Sequence, residues 1–166
     1  DNKVYDATTA ASLATRTLSG VLGSDVVSYV GGTASFDTKN AGTAKVVTAS
    51  GLSLSGADAG NYTVNSGATT TADVTPLGIT GSVTADNKVY DAGTTASLAT
   101  RTLSGVLGSD TVSYVGGTAT FDNKNVGTAK VVTASGLSLS GVDAGNYTVN
   151  SGATTTADVT PLGITG

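Results

Sequence analysis

Asp25, Asp58 and Asn61, repeated as Asp110, Asp143 and Asn146, are the residues whose chemistry best suits a ligand. Calcium takes hard oxygen donors, and Asp is the only acid the chain contains. Asp37 with Asn40 is a second such pairing. No Asp-x-Asp-x-Asp-Gly loop accompanies either set, and Asp and Asn also hold turns by bonding nearby backbone. Calcium is therefore a weak candidate, and no other cofactor is expected.

Other chemistries fare worse. The chain has no His, Cys or Glu, so a serine nucleophile would need Lys as its base, and nothing marks one. The reading is of a protein without catalytic residues. A Lys–Asn crosslink, from Lys3 or Lys45 to Asn61 beside Asp6, would require a buried, desolvated Lys. Asn61-Tyr62-Thr63 and Asn146-Tyr147-Thr148 fit the glycosylation sequon. Tyr5, Tyr29 and Tyr62 could stack on sugar rings, but each sits in an alternating run that favours core packing. Rows of Thr such as Thr70-Thr71 suggest an ice- or mineral-binding face, which an 85-residue unit is too long to array regularly.

The elements that must position these residues are written twice. Residues 1–81 align without a gap on 86–166, and only seven of the 81 pairs differ. Ser82-Val83-Thr84-Ala85 joins the copies. The unit is domain-sized, longer than the 20–50 residues of most solenoid repeats. Charged residues make up 12% and the formal net charge is −4. That balance offers no basic patch for a phosphate backbone, so nucleic acid is excluded as a partner. No apolar run is long enough for a membrane helix, so no membrane insertion is expected. With no Cys, the domains rest on packing alone. The chain has neither an initiator Met nor a signal peptide and reads as a piece of something longer.

Within a unit, period two dominates. Short strands are expected at Lys3-Val4-Tyr5, at Val26 to Val30, at Thr33 to Phe36 after a Gly31-Gly32 turn or bulge, at Ala44 to Ala49, at Gly51 to Gly56, at Asn61 to Val64 and at Thr69 to Val74. Asp6 and Asp91 are assigned to setting the turn after the opening strand. Ser12 to Leu22 reads as a strand or irregular arm in preference to a short amphipathic helical turn through Leu13, Leu18, Val21 and Leu22. The fold class is all-β: two tandem small β-sandwich or grasp-like domains arranged end to end.

The joint refines the boundaries. Leu77, Ile79 and Val83 alternate, which makes this segment the leading strand of the second domain. The expected division is 1–76 for a first repeat lacking its leading strand, 77–160 for a second, and 161–166 for the orphan leading strand of a third.

Lys3-Val4-Tyr5-Asp6-Ala7, Leu18-Ser19-Gly20-Val21, Phe36-Asp37-x-Lys39-Asn40-x-Gly42 and Gly51-Leu52-Ser53-Leu54-Ser55-Gly56-x-Asp58-Ala59-Gly60-Asn61-Tyr62-Thr63 together resemble the YDG repeat domain of large bacterial surface proteins, including filamentous-haemagglutinin-like adhesins. One departure is notable: the name-giving Gly is Ala7 here and Ala92 in the second copy. If that position needs positive φ, Ala strains the turn, and Gly93 could take over the role in the second copy. The resemblance implies an extracellular β-domain at the bacterial cell surface, in an adhesin or biofilm-matrix protein. It brings no catalytic residues. The expected role is a stalk whose partners are neighbouring repeats of the same chain. The alternative is a weak multivalent module binding host or matrix glycans or like domains.

Overall fold

Runs that alternate β-branched and small residues form strands because successive side chains then point to opposite faces. The computed structural model describes residues 1–166 and is all-β, with 55% of residues in strands and the sheets curled into half-barrels. Helix is confined to two short 3₁₀ turns, Ala59–Asn61 and Ala144–Asn146. Contacts divide the chain into two compact units, Asp1–Pro76 and Leu77–Gly166.

The first unit holds β1 (Lys3–Val4), β2 (Ala10–Ala11), β3 (Ser28–Phe36), β4 (Gly42–Ser55) and β5 (Gly67–Thr75). They form one sheet in the order β1-β5-β4-β3-β2. β4 is the spine: it runs antiparallel to β3, with Phe36 opposite Val47, and antiparallel to β5. β1 closes the edge in parallel, with Lys3 opposite Val74. Tyr5, Phe36, Val47, Ala49, Leu52, Ala72 and Val74 are the buried apolar residues of this unit.

The second unit holds β6 (Leu77–Ala85), β7 (Lys88–Val89), β8 (Thr95–Ala96), β9 (Leu98–Ser104), β10 (Ser113–Phe121), β11 (Gly127–Ser140), β12 (Tyr147–Val149) and β13 (Gly152–Thr160). The five-stranded sheet recurs as β7-β13-β11-β10-β8, joined by a three-stranded sheet β12-β6-β9. β6 runs parallel to β12 over Tyr147–Val149, then antiparallel to β9 from Thr80 onward. It also packs on β13, and β9 packs on β10. Val83 joins the buried cluster of Tyr114, Phe121, Val132, Leu137 and Val159.

The first unit has no strand in the place of β6. Residues 12–22, matching the stretch that holds β9, are irregular there, and Tyr62–Val64, matching β12, form no strand. The sequences are the same; what differs is a strand to pair with. The short helical turn is absent from both copies of this stretch.

Three sequence expectations are corrected. β3 begins at Ser28, because the Val26 amide is taken by the Asp58 carboxylate at 2.8 Å. Gly31 and Gly32 do not end a strand but lie within β3 at φ 71° and 84°; a Cβ on Gly32 would stand 2.6 Å from Leu52 Cδ2. Ala44–Ala49 and Gly51–Gly56 are not separate strands: β4 runs unbroken through both to Ser55.

Candidate functional site

The opening Tyr-Asp-Ala turn is built around one ammonium. Lys3 Nζ donates to Asp6 Oδ1 at 2.7 Å, to the Thr8 carbonyl at 2.8 Å and to the Ala10 carbonyl at 3.0 Å. It also lies 5.4 Å from the centre of the Phe36 ring. Asp6 Oδ1 accepts from the Thr8 amide and hydroxyl, both at 2.9 Å. The turn points Tyr5 inward, where it is 2% exposed, and leaves Val4 outside. The second unit repeats the design with Lys88, Asp91 and the Gly93 amide. The Lys3 ammonium holds the Asp6 carboxyl below its ordinary range, and Lys88 does the same to Asp91.

Ala7 and Ala92 stand at φ 63° and 65°, the left-handed region expected of the name-giving glycine. Gly93 does not take over that role: the positive φ stays on Ala92.

The structure brings Asp25 and Asp58 to the same neighbourhood, with Tyr62 as their common neighbour. Tyr62 Oη donates to Asp25 Oδ2 and accepts from the Leu22 amide at 3.1 Å. Asp58 Oδ2 is occupied by the Val26 amide. The hydrogen bond to Asp25 raises the Tyr62 pKa by favouring the neutral phenol. In the second unit Tyr147 Oη donates to Asp110 Oδ2 at 2.6 Å, and Thr111 N donates to Asp143 at 2.8 Å. These carboxylates thus tie loops to strands, and no group of three or more acidic side chains forms a metal cluster. Asn61 is exposed, whereas its counterpart Asn146 is 5% exposed, so burial closes the second sequon.

The crosslink candidates are separated. Lys3 is bound in the opening turn, and Lys45 Nζ pairs with Asp37 Oδ1 at 2.8 Å and Thr38 Oγ1 at 2.6 Å. Neither amine is bonded to Asn61. The tyrosines divide as well: Tyr5 is core, while Tyr29 and Tyr62 are half-buried where Tyr114 and Tyr147 are buried.

Two polar devices escaped the sequence reading. Asp73 Oδ1 accepts from the Ala44 amide at 2.8 Å where β4 and β5 shift register between Gly42 and Lys45, and Asp158 does so for Ala129. Asn2 Oδ1 in turn accepts from the Asp73 amide at 2.8 Å, fastening the chain start to β5. The second device is Asn150. Its Oδ1 accepts from Gly81 N at 2.8 Å, and its Nδ2 reaches Gly81 O at 3.0 Å, Tyr114 Oη at 3.1 Å and Gly152 O at 2.8 Å. It clips β6 to β10 and β13. Only the structure marks it, because an Asn between two strands reads as a turn residue.

In the first unit Asn65 has no β6 to clip. It holds Tyr29 Oη and Gly67 O, beside an open groove of about 380 Å³ lined by Leu13, Tyr29, Leu52, Asn65 and Ala68.

No curated protein and no solved structure matches the chain. The family model of the YDG domain matches it twice, over residues 1–72 and 73–157, placing the boundary a few residues ahead of the structural one at Pro76. The opening turn, the Asp58-to-Tyr62 corner and the leading strand are thus parts of a repeated family module, and the chain belongs to the YDG domain family.

Proposed function

We propose that the chain is a pair of structural spacer repeats from a bacterial cell-surface adhesin or biofilm-matrix protein, arranged end to end to project an adhesive region outside the cell. The observation that carries this reading is the joint. β5 ends at Thr75 and β6 begins at Leu77, so Pro76 alone separates a strand of one unit from a strand of the next. Proline has a fixed φ, and one residue is far shorter than the Gly/Ser-rich segments that behave as flexible linkers. A globule of this size has a radius of gyration of roughly 12 Å, so each stacked copy would add on the order of 30 Å. Reach then grows with copy number without a site on any copy. The polar groups described above support the same role, because they bond within the fold.

The test joins length to binding. Arrays of two, four and six units would be measured by small-angle scattering, and the present chain applied to a glycan array and to whole cells, with and without calcium. Maximum dimension rising linearly with copy number, with no binding in either condition, is the expected result. Reproducible binding by the two-unit chain would replace the spacer with a weak multivalent adhesion module, whose affinity is multiplied by repetition.

A further inference from the structure

We propose that the parallel strand pairs β1–β5 and β7–β13 are shear clamps that let each unit carry tension without opening, a role that rests on the spacer reading for the source of the pull. Three strand pairs in the molecule are parallel: β1 with β5, β7 with β13, and β6 with β12. The others are all antiparallel. Each parallel pair joins a strand near the entry of the chain into its unit to a strand near its exit. That arrangement decides how the bonds meet a pull. In parallel neighbours the N-terminal end of one strand and the C-terminal end of the other lie at opposite ends of the pair. Tension then slides the strands and strains every bond between them at once. In antiparallel neighbours those two ends lie together, and tension opens the bonds one after another.

The clamp ladders are short, and flanking groups lengthen them at both ends. β7 pairs Lys88 with Val159 and Val89 with Thr160. Ahead of it, Asn87 Oδ1 accepts from the Asp158 amide at 2.7 Å. Behind it, the Tyr90 amide donates to the Thr160 carbonyl at 2.9 Å. The Thr160 hydroxyl donates to the Lys88 carbonyl at 3.4 Å. β1 and β5 carry the same set. Asn2 Oδ1 accepts from the Asp73 amide at 2.8 Å, the Tyr5 amide donates to the Thr75 carbonyl at 2.8 Å, and Thr75 Oγ1 donates to the Lys3 carbonyl at 3.3 Å. The residues after each opening strand are anchored as well. Tyr5 is buried, and Tyr90 packs against the buried cluster of the second unit. Lys88 Nζ holds Asp91 Oδ1 and the Gly93 and Thr95 carbonyls, at 2.7, 2.9 and 3.1 Å. A pull on β7 toward its N-terminus must therefore drag Tyr90 from its packing and break the ammonium bonds together with the ladder.

The experiment is single-molecule force spectroscopy on the full chain. The chain has no Cys, so a pair of introduced cysteines fixes where the handles attach. Asp86→Cys with Pro161→Cys pulls β7 and β13 from opposite ends. Val89→Cys with Pro161→Cys pulls them from the same end, because Val89 lies opposite Thr160. All three positions are exposed, so the two variants keep the same contacts and differ in the direction of the pull. Forced unfolding follows the unfolding barrier, and bonds that share the load raise it. At equal loading rate the force in the first direction should exceed that in the second by roughly two-fold or more. Asn87→Ala should lower the first force and leave the second unchanged, because peeling starts at the other end of the pair. Asp143→Ala removes a loop tie outside the clamp and should leave the ratio of the two forces unchanged. Equal forces in the two directions would overturn the clamp. So would an equal loss of ratio in Asn87→Ala and Asp143→Ala, which would assign the resistance to overall stability. Neither result alters how length grows with copy number, so the clamp and the spacer can fail separately.

Discussion

Gly81 lies against the ring of Tyr114 so closely that a Cβ at this position would stand 2.8 Å from Cδ1 and nearer still to Cε1 and Cζ. The ring is 5% exposed and its hydroxyl is fixed by the Asn150 carbonyl at 2.7 Å, so it has nowhere to turn. Gly81→Val should therefore lift β6 from the second unit. Overpacking of this kind costs about 1–3 kcal/mol. Denaturant unfolding of the full chain should show an earlier transition for Gly81→Val and little change for Gly78→Ala. Equal midpoints would mean that the strand does not depend on this contact.

Ala7 and Ala92 invite a change in the opposite direction. An L-residue with a Cβ pays roughly 1–2 kcal/mol in the left-handed region. Glycine removes that strain but adds roughly 0.5–1 kcal/mol of unfolded-state entropy. Each site should thus gain about 0.5–1 kcal/mol, and the double variant Ala7→Gly, Ala92→Gly about 1–2 kcal/mol. A shift of the urea midpoint to higher concentration, with unchanged slope, is the expected reading. A lower midpoint would show that the turn favours alanine for reasons beyond φ.

The carboxylates of the four Lys–Asp pairs make the fold acid-sensitive in a defined window. Lys3, Lys45, Lys88 and Lys130 hold Asp6, Asp37, Asp91 and Asp122, respectively, below the ordinary carboxylate range. A depressed folded pKa contributes stability that is present above the unfolded value, near 4, and is lost as pH falls through the folded value. Melting temperature should be level between about pH 7 and pH 5 and decline below about pH 4. Asp6→Asn with Asp91→Asn should make the acid decline shallower, whatever it does to stability at neutral pH. An unchanged slope would assign the acid sensitivity to other groups.

Much of this was legible from short-range pattern. Tyr5, Phe36, Val47 and Leu52 are core residues because each sits at an inward position of an alternating run, and the same alternation in Leu77, Ile79 and Val83 marks β6. The left-handed turn was legible through the departure from glycine at Ala7. What failed was long-range. A run of Gly31-Gly32 looks like a chain reversal until β4 lies beside it and Leu52 needs the space. The Val26 amide on Asp58 and the Tyr62 hydroxyl on Asp25 are likewise partners that no local spacing points to. Asn150 is 69 residues from Gly81, a pairing that no local pattern announces.

Ser12 to Leu22 could not be decided from sequence because it has two structures. Leu98–Ser104 is a strand in the second unit, while the matching residues of the first are irregular, although residues 11–25 and 96–110 are identical. The difference is the partner: Thr100, Arg101, Thr102 and Leu103 lie opposite Thr84, Val83, Ser82 and Gly81. Arg16 and Arg101 both donate to the carbonyl of the facing glycine, at 2.9 Å to Gly31 and 2.8 Å to Gly116. The arm is therefore tethered in both units, but only one copy has a backbone ladder. Hydrogen exchange on the intact chain separates tether from ladder. Amides of Leu98–Ser104 should exchange with the slow core of the second unit, and amides of residues 13–19 should exchange at rates close to those of exposed loops. The same contrast should hold between Tyr147–Val149 and residues 62–64. Adding a synthetic peptide with the β6 sequence, LGITGSVTA, should slow residues 13–19 and 62–64 without altering Leu98–Ser104. Equal protection of the two arms without peptide would show that tethering alone orders the segment, and that pairing with β6 is a consequence of that order rather than its cause.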